Sequence, residues 1–148
     1  MRAHVQRVSS AAVSIDGAAV GSIGRGYLVL LGVGAGDDEA AAEKLWSKLR
    51  GLRINEDEDG KTNLALADVG GGVLVVSQFT LFADCRHGRR PSFAAAGAPA
   101  EAERLYEYFV SLVRADVAEV ATGRFGANMQ VSLVNNGPFT ILLDTDEL

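Results

Sequence analysis

Asn135-Asn136-Gly137-Pro138-Phe139-Thr140 breaks a pattern that the residues on both sides of it obey. Met129 to Val134 and Phe139 to Leu143 are apolar, β-prone runs that read as strands. Between them stands a residue with no side chain, followed by one with no N–H. Proline inside a sheet is confined to edges, first positions and bulges. Two readings follow. In one, the segment is a turn joining two hairpin strands, the common use of Asn, Gly and Pro. In the other it is a device: with no donor at Pro138, the neighbouring carbonyls are left to accept from a ligand, and a cis bond would aim them together. X-Pro bonds are cis in only about 5–6% of cases, so the sequence leaves the isomer open.

A chain of 148 residues predicts a single domain, long enough to bury about 68–70% of its unfolded surface without metal or disulfide. Cys85 is its one cysteine, which excludes an intrachain disulfide and points to a reducing, cytoplasmic setting. Met1 to Arg7 carries charge where a signal peptide would be apolar. The run Tyr27 to Val33 falls far short of the roughly 20 residues that span a bilayer, so no membrane partner is expected. With 14 basic and 19 acidic side chains the net charge is −5, which argues against broad wrapping of duplex nucleic acid. A narrow contact stays open, because Arg86, Arg89 and Arg90 cluster while the acids gather at 37–43, 56–59 and 144–147. Such a run is either a solvated face or a phosphate contact.

Along the chain, Ala3 to Ser9 reads as a first strand, and Val13 to Ile15 leads through Asp16-Gly17 to a hairpin partner at Val20 to Ile23. Tyr27 to Val33 is continuously apolar, as a strand covered on both faces would be. Ala42, Leu45, Trp46, Leu49 and Leu52 recur at helical spacing, with Asp37 or Asp38 as cap and Gly51 near the end. Trp46 sits inside that stripe as a core anchor. Ile54 opens a short strand, and Glu56 to Lys61 is a charged turn without calcium-loop spacing. Val73 to Val76 is another buried strand; Ser77, Gln78 and Thr80 then crowd its end, where they either cap the turn or line a site outside the sheet. Ala83 to Ala98 is a loop. Pro99 opens a second helix that buries Ala102, Leu105, Tyr106, Phe109, Leu112 and Val113. Val117 to Val120 is a short strand, and the acidic tail from Asp144 to Leu148 is expected to fray.

The chemistry these residues can support is narrow. Cys85 with His87 or His4 lacks a group to orient the imidazole. Two histidines and one cysteine are too few for a metal hydrolase, and the glycine-rich phosphate loops are absent, so no cofactor is expected. What remains is a site of hydroxyls, an amide and backbone groups, suited to a substrate that is already activated, such as an ester beside a free hydroxyl.

Ser77-Gln78-Phe79-Thr80-Leu81 together with Asn135-Asn136-Gly137-Pro138-Phe139-Thr140 resembles the paired signature of the D-aminoacyl-tRNA deacylases. Arg90-Pro91-Ser92-Phe93 and Gln6-Arg7-Val8 match as well, and the order and spacing agree over essentially the whole chain, with an acidic extension after Leu143 as the chief departure. The resemblance implies an α/β domain over residues 1–148, with two curved β-sheets in a barrel-like arrangement and two main helices on one side. It implies a hydrolase that cleaves the ester of D-aminoacyl-tRNA, and of glycine mischarged on tRNA, while rejecting L-aminoacyl-tRNA. It places Ser77, Gln78, Phe79 and Thr80 at the catalytic centre, and Asn135, Gly137, Pro138, Thr140 and Arg7 at the substrate. Arg89 and Arg90 would meet the tRNA. It further implies a homodimer in which Gly137-Pro138 reaches the partner's active site. A small-metabolite binding protein or an esterase of free D-amino-acid esters is the alternative, and a purely structural dimer module a third reading.

Overall fold

The computed structural model describes residues 1–148, and its sheet is built outward from one long strand, β1 (Arg2–Ile15). A tight turn returns it as β2 (Ala18–Ile23), with Asp16 at φ 50° and Gly17 at φ 81°, the positive pair that a primed hairpin turn requires. The rest of the order is β3 (Gly26–Gly32), α1 (Glu39–Arg50), β4 (Asn55–Glu56), β5 (Thr62–Leu64), β6 (Gly72–Ser77), α2 (Pro99–Asp116), β7 (Val120–Thr122) and β8 (Gln130–Asp144). The main sheet runs β2-β1-β3-β6-β7, with β8 added along the other edge of β1; β4 and β5 form a separate ribbon. β1 lies antiparallel to β2, β3 and β8, whereas β3, β6 and β7 are parallel, their crossovers carrying α1 and α2. No helix is long and apolar enough to cross a membrane.

Alternation along β3 and β6 feeds two cores at once. Tyr27, Val29, Leu31, Val73 and Val75 pack under the helices with Leu45, Trp46, Leu49, Leu105, Tyr106 and Phe109. Leu28, Leu74 and Val76 point the other way, onto Val8, Ala11, Val13 and Ile23 inside the curl of the sheet. The continuous apolar run predicted as a doubly covered strand is therefore covered on both faces. The curl is nearly closed: a Cβ on Gly21 of β2 would lie 2.8 Å from the Thr122 carbonyl oxygen of β7, so the two ends of the strand order touch. The barrel-like sheet with two helices is the predicted architecture.

The helices start as predicted. The Asp38 carboxylate accepts from the Ala41 N–H at 2.9 Å, and Pro99 occupies the first turn of α2. Trp46 is buried, edge-on to Phe109 at 6.0 Å, and donates its indole N–H to Asp116 at 2.8 Å. Four details differ. β1 continues unbroken through the residues read as a gap between two strands, because β8 and β2 give its second half partners. The short strand begins at Val120, since Val117 closes α2 through a bond from its N–H to the Val113 carbonyl. Val110 rather than Leu112 completes the buried stripe. The tail is tied down through Thr145, a buried residue whose N–H donates to the Met1 carbonyl at 2.9 Å and whose carbonyl accepts from Lys44 at 2.9 Å, while Asp144 accepts from Arg2 at 2.7 Å.

Candidate active site

The Gly137-Pro138 segment is not a hairpin turn. Both apolar runs beside it belong to β8 and pair with the same strand: Val131 to Val134 opposite Ser10 to Val13, and Thr140 to Asp144 opposite Arg2 to Gln6. Between the partners Gln6–Thr140 and Val8–Asn135, residues 136–139 of β8 stand opposite Arg7 alone. The segment is a wide bulge, the sheet's usual means of re-aiming backbone next to a site. Its Gly137–Pro138 bond is cis, and Gly137 sits at φ 142°, a conformation that side-chain-bearing residues rarely adopt. Both residues are exposed.

Arg7 holds this bulge from the buried side. Its side chain is only 6% exposed, too enclosed for an ordinary surface ion-pair partner. Nε donates to the Asn136 carbonyl at 2.8 Å, Nη1 to the Ile54 carbonyl at 2.7 Å and Nη2 to Glu56 at 3.1 Å, and the guanidinium lies 4.8 Å from the centre of the Phe139 ring. Asn135 Oδ1 accepts from the Phe139 N–H at 2.6 Å, closing the bulge on itself.

The second motif stands where a buried parallel strand runs out. Ser77 ends β6, and the Gln78 N–H still donates to the Leu31 carbonyl at 2.7 Å before Phe79–Phe82 turns into a short 3₁₀ helix. The first N–H groups of such a turn have no acceptor within it. Gln78 Nε2 donates to the Thr80 hydroxyl. Phe79 is 54% exposed, its ring packing against that of Phe93 at 4.9 Å and 66°. Ser77, Gln78 and Phe79 form one wall of a cleft of about 580 Å³ whose other walls include Phe93, Phe125 and Met129. Thr80 lies beside this cleft rather than in its lining.

Arg89 and Arg90 are exposed at the tip of a loop whose base is pinned by reciprocal bonds between Asp84 and Ser92, at 2.7 and 2.9 Å. Arg86 is committed elsewhere. Its guanidinium forks onto Asp84 at 2.7 and 2.9 Å, and these bonds hold the Asp84 carboxyl down to about 2. Cys85 and His87 are exposed on the same loop. A larger, more open cleft of about 860 Å³ runs past Arg2, Asp37 and Arg86, but those charges already pair with groups of the chain itself. The smaller cleft is therefore the candidate site.

Within one chain the two motifs stay apart: none of Arg7, Asn135, Gly137, Pro138 and Thr140 lines the cleft of Ser77, Gln78 and Phe79. Phe125 and Met129 are not legible in the sequence as site residues, because Phe125 lies in a loop with no apolar period and Met129 reads as the start of the apolar strand run to Val134, whereas β8 begins one residue later. Both are half-buried and also pack against the core, Phe125 beside Tyr106 at 6.0 Å, so an apolar side chain there reads as core packing rather than as a site.

The family of the D-Tyr-tRNA(Tyr) deacylases matches residues 4–144. A D-aminoacyl-tRNA deacylase of Thermotoga petrophila is 56% identical over 148 residues, covering 100% of this chain and 99% of the relative. One from Koribacter versatilis is 58% identical over 145 residues, covering 98% and 97%. Among solved structures, a c-Myc DNA unwinding element binding protein superposes with a TM-score of 0.92 at 39% identity, over 97% of this chain and 98% of the other. A probable eukaryotic D-amino acid tRNA deacylase shares the fold with a TM-score of 0.83 at 18% identity, over 96% and 97%. The chain belongs to the D-Tyr-tRNA(Tyr) deacylase family and is a hydrolase.

Proposed function

We propose that this hydrolase acts at the 3′ end of D-aminoacyl-tRNA in the cytoplasm, releasing free amino acid and tRNA, and that it selects by handedness with backbone lent by a second copy of itself. The observation that carries the reading is the separation of the two motifs. Gly137 and Pro138 project from an exposed bulge and do not line their own cleft, so a complete site calls for two chains. Leu133, Val134 and Leu142 on β8 are 40%, 57% and 59% exposed, and these uncovered apolar side chains before and after the bulge support pairing through this strand.

In that arrangement the carbonyls of the partner's Gly137-Pro138 element accept from the substrate's α-ammonium, and the bulge occupies the space an L side chain would need. Exclusion by rigid backbone leaves a D side chain projecting outward unread, so many D-amino acids enter, and glycine with them. The aromatic cleft of Phe79, Phe93 and Phe125 suits the flat base of the terminal adenosine, and this favours a charged tRNA over a free amino-acid ester.

The 2′-hydroxyl of the terminal ribose assists attack on the ester carbonyl, while backbone N–H groups at Phe79 and Thr80 receive the developing oxyanion, each such donor being worth about 10²–10³ in rate. Ser77 and Gln78 orient the ester and the ribose, and Thr80 supports Gln78 through the bond between them. Arg89 and Arg90 meet phosphates of the acceptor end. The test is deacylation of matched D- and L-aminoacyl-tRNA by the purified chain, with a free D-amino-acid ester as comparator. Preference for the D-charged tRNA is expected; equal cleavage of both hands, or equal cleavage of the free ester, overturns the reading.

A further inference from the structure

Gln6 and Arg7 are neighbours on β1 and so point to opposite faces of the sheet, yet both take hold of the same bulge. Arg7 grips it from the buried side, through the Asn136 carbonyl. Gln6 works from the outer side, where its Oε1 accepts from the Thr140 hydroxyl at 2.6 Å and also from the Asn135 amide. Asn135 and Thr140 are the residues of β8 in register with β1 immediately before and after the bulge. One oxygen atom thus ties the two ends of the four-residue excursion, 136–139, to each other and to β1. Asn135 passes the constraint inward, since its Oδ1 accepts from the Phe139 N–H at 2.6 Å. Gln6 Nε2 has no comparable engagement, its nearest contact being His4 Nδ1 at 3.5 Å.

We infer that Gln6 is a specificity-determining positioning residue: its Oε1 fixes the width of the bulge mouth, and through it the placement of the Gly137-Pro138 backbone that judges handedness. The inference rests on the function proposed above. Gln6 does not line the Ser77–Phe79 cleft, so its effect reaches the substrate only through Asn135, Thr140 and the bulge between them. Loss of the shared acceptor takes the Thr140 hydroxyl's partner away and leaves the Asn135 amide only its longer contacts, to the Phe139 carbonyl and Thr140 Oγ1 at 3.4 Å each, which frees the bulge ends to separate.

The experiment compares Gln6→Leu, which removes the acceptor at similar volume, with Gln6→Glu, which keeps an acceptor oxygen. Two quantities are read in the full chain: hydrogen exchange at the Phe139 amide, and the ratio of kcat/KM for D- over L-aminoacyl-tRNA. In Gln6→Leu, exchange at Phe139 is expected to speed up and the ratio to fall, each by about tenfold or more, while Gln6→Glu stays close to the parent in both. Thr140→Val removes the donor from the other side of the same bond and should move both readouts in the same direction as Gln6→Leu. Wild-type exchange in Gln6→Leu overturns the inference. So does faster exchange with an unchanged D-to-L ratio, or a Gln6→Glu protein as impaired as Gln6→Leu. Should the parent itself cleave both hands equally, the proposed function falls, and wild-type exchange at Phe139 in Gln6→Leu would separately remove the hold of Gln6 on the bulge.

Discussion

Arg7 Nε donates to the Asn136 carbonyl at 2.8 Å across 129 positions of sequence, and this bond joins the first strand to the one segment of β8 that leaves its ladder. The same guanidinium also reaches Ile54 and Glu56, so β1, the bulge and the β4–β5 ribbon meet on one side chain.

Arg7→Lys is expected to lower both stability and turnover. An ammonium is a point donor on a flexible stem and cannot serve two carbonyls and a carboxylate set in a planar fan. At least one buried carbonyl is left unpartnered, at a cost of about 1–3 kcal/mol, which for a chain of this size corresponds to roughly 2–4 °C in Tm per kcal/mol. Thermal unfolding checks the first effect and deacylation of D-aminoacyl-tRNA the second. A change in stability within about 0.5 kcal/mol, the range of ordinary surface substitutions, would remove Arg7 from the bracing role.

Thr80→Ala and Gln78→Ala separate support from chemistry. No base lies beside the Thr80 hydroxyl, whose partner is the Gln78 amide, so Thr80→Ala should keep turnover near the parent. Gln78→Ala should lower kcat by on the order of 10²-fold, the scale on which misplacing a reacting group slows a reaction. Single-turnover deacylation distinguishes them. Loss of all activity in Thr80→Ala would instead make that hydroxyl the candidate nucleophile.

Much of this architecture is legible in the sequence where a local rule and the tertiary environment agree. Asp16-Gly17, the Asp38 cap, Pro99 at the start of α2 and the doubly covered run at Tyr27 each carry their reason within a few residues. The bulge is different. Asn135-Asn136-Gly137-Pro138 carries every local mark of a turn, and only the pairing of both its flanks with β1, the distant first strand of the chain, makes it an excursion from one strand. Arg7 shows the same limit, because its burial depends on β4 arriving beside it. The ordered tail likewise follows from Met1 and Lys44 reaching Thr145, partners for which Asp144 to Leu148 hold no local sign.

Arg89 and Arg90 carry a prediction about salt. Arg86 on the same loop is held by Asp84, whereas Arg89 and Arg90 stand exposed at the tip. Replacing both by Ala should raise KM for aminoacyl-tRNA and reduce the slope of log affinity against log salt by about 0.7–0.9 for each phosphate that is no longer neutralised, with Tm unchanged. Steady-state kinetics across a salt series measures both, and an unaltered KM and slope would take these side chains off the RNA.

Tyr27 sets the alkaline limit of the fold. It is fully buried beneath the helices, and burial pushes its hydroxyl up to about 12, against a weaker opposing pull from the Asn55 amide that donates to it at 2.7 Å. An unfolded tyrosine titrates near 10. Below that pH both states keep the proton and Tyr27 contributes no pH dependence. Between pH 10 and about 12 the unfolded chain releases a proton that the folded chain retains, so stability falls as pH rises. The two-unit gap corresponds to about 2–3 kcal/mol. Tyr106, buried and donating to the Val75 carbonyl at 2.9 Å, is shifted in the same direction and adds to the decline. Tyr27→Phe should therefore flatten, without abolishing, the loss of stability above pH 10. Its cost at neutral pH should be modest, since the Asn55 amide keeps the Leu64 carbonyl at 3.2 Å. Urea unfolding at pH 8 and pH 11 measures the difference, and an equal loss between those pH values in parent and variant would show that the Tyr27 proton is not what the folded state protects.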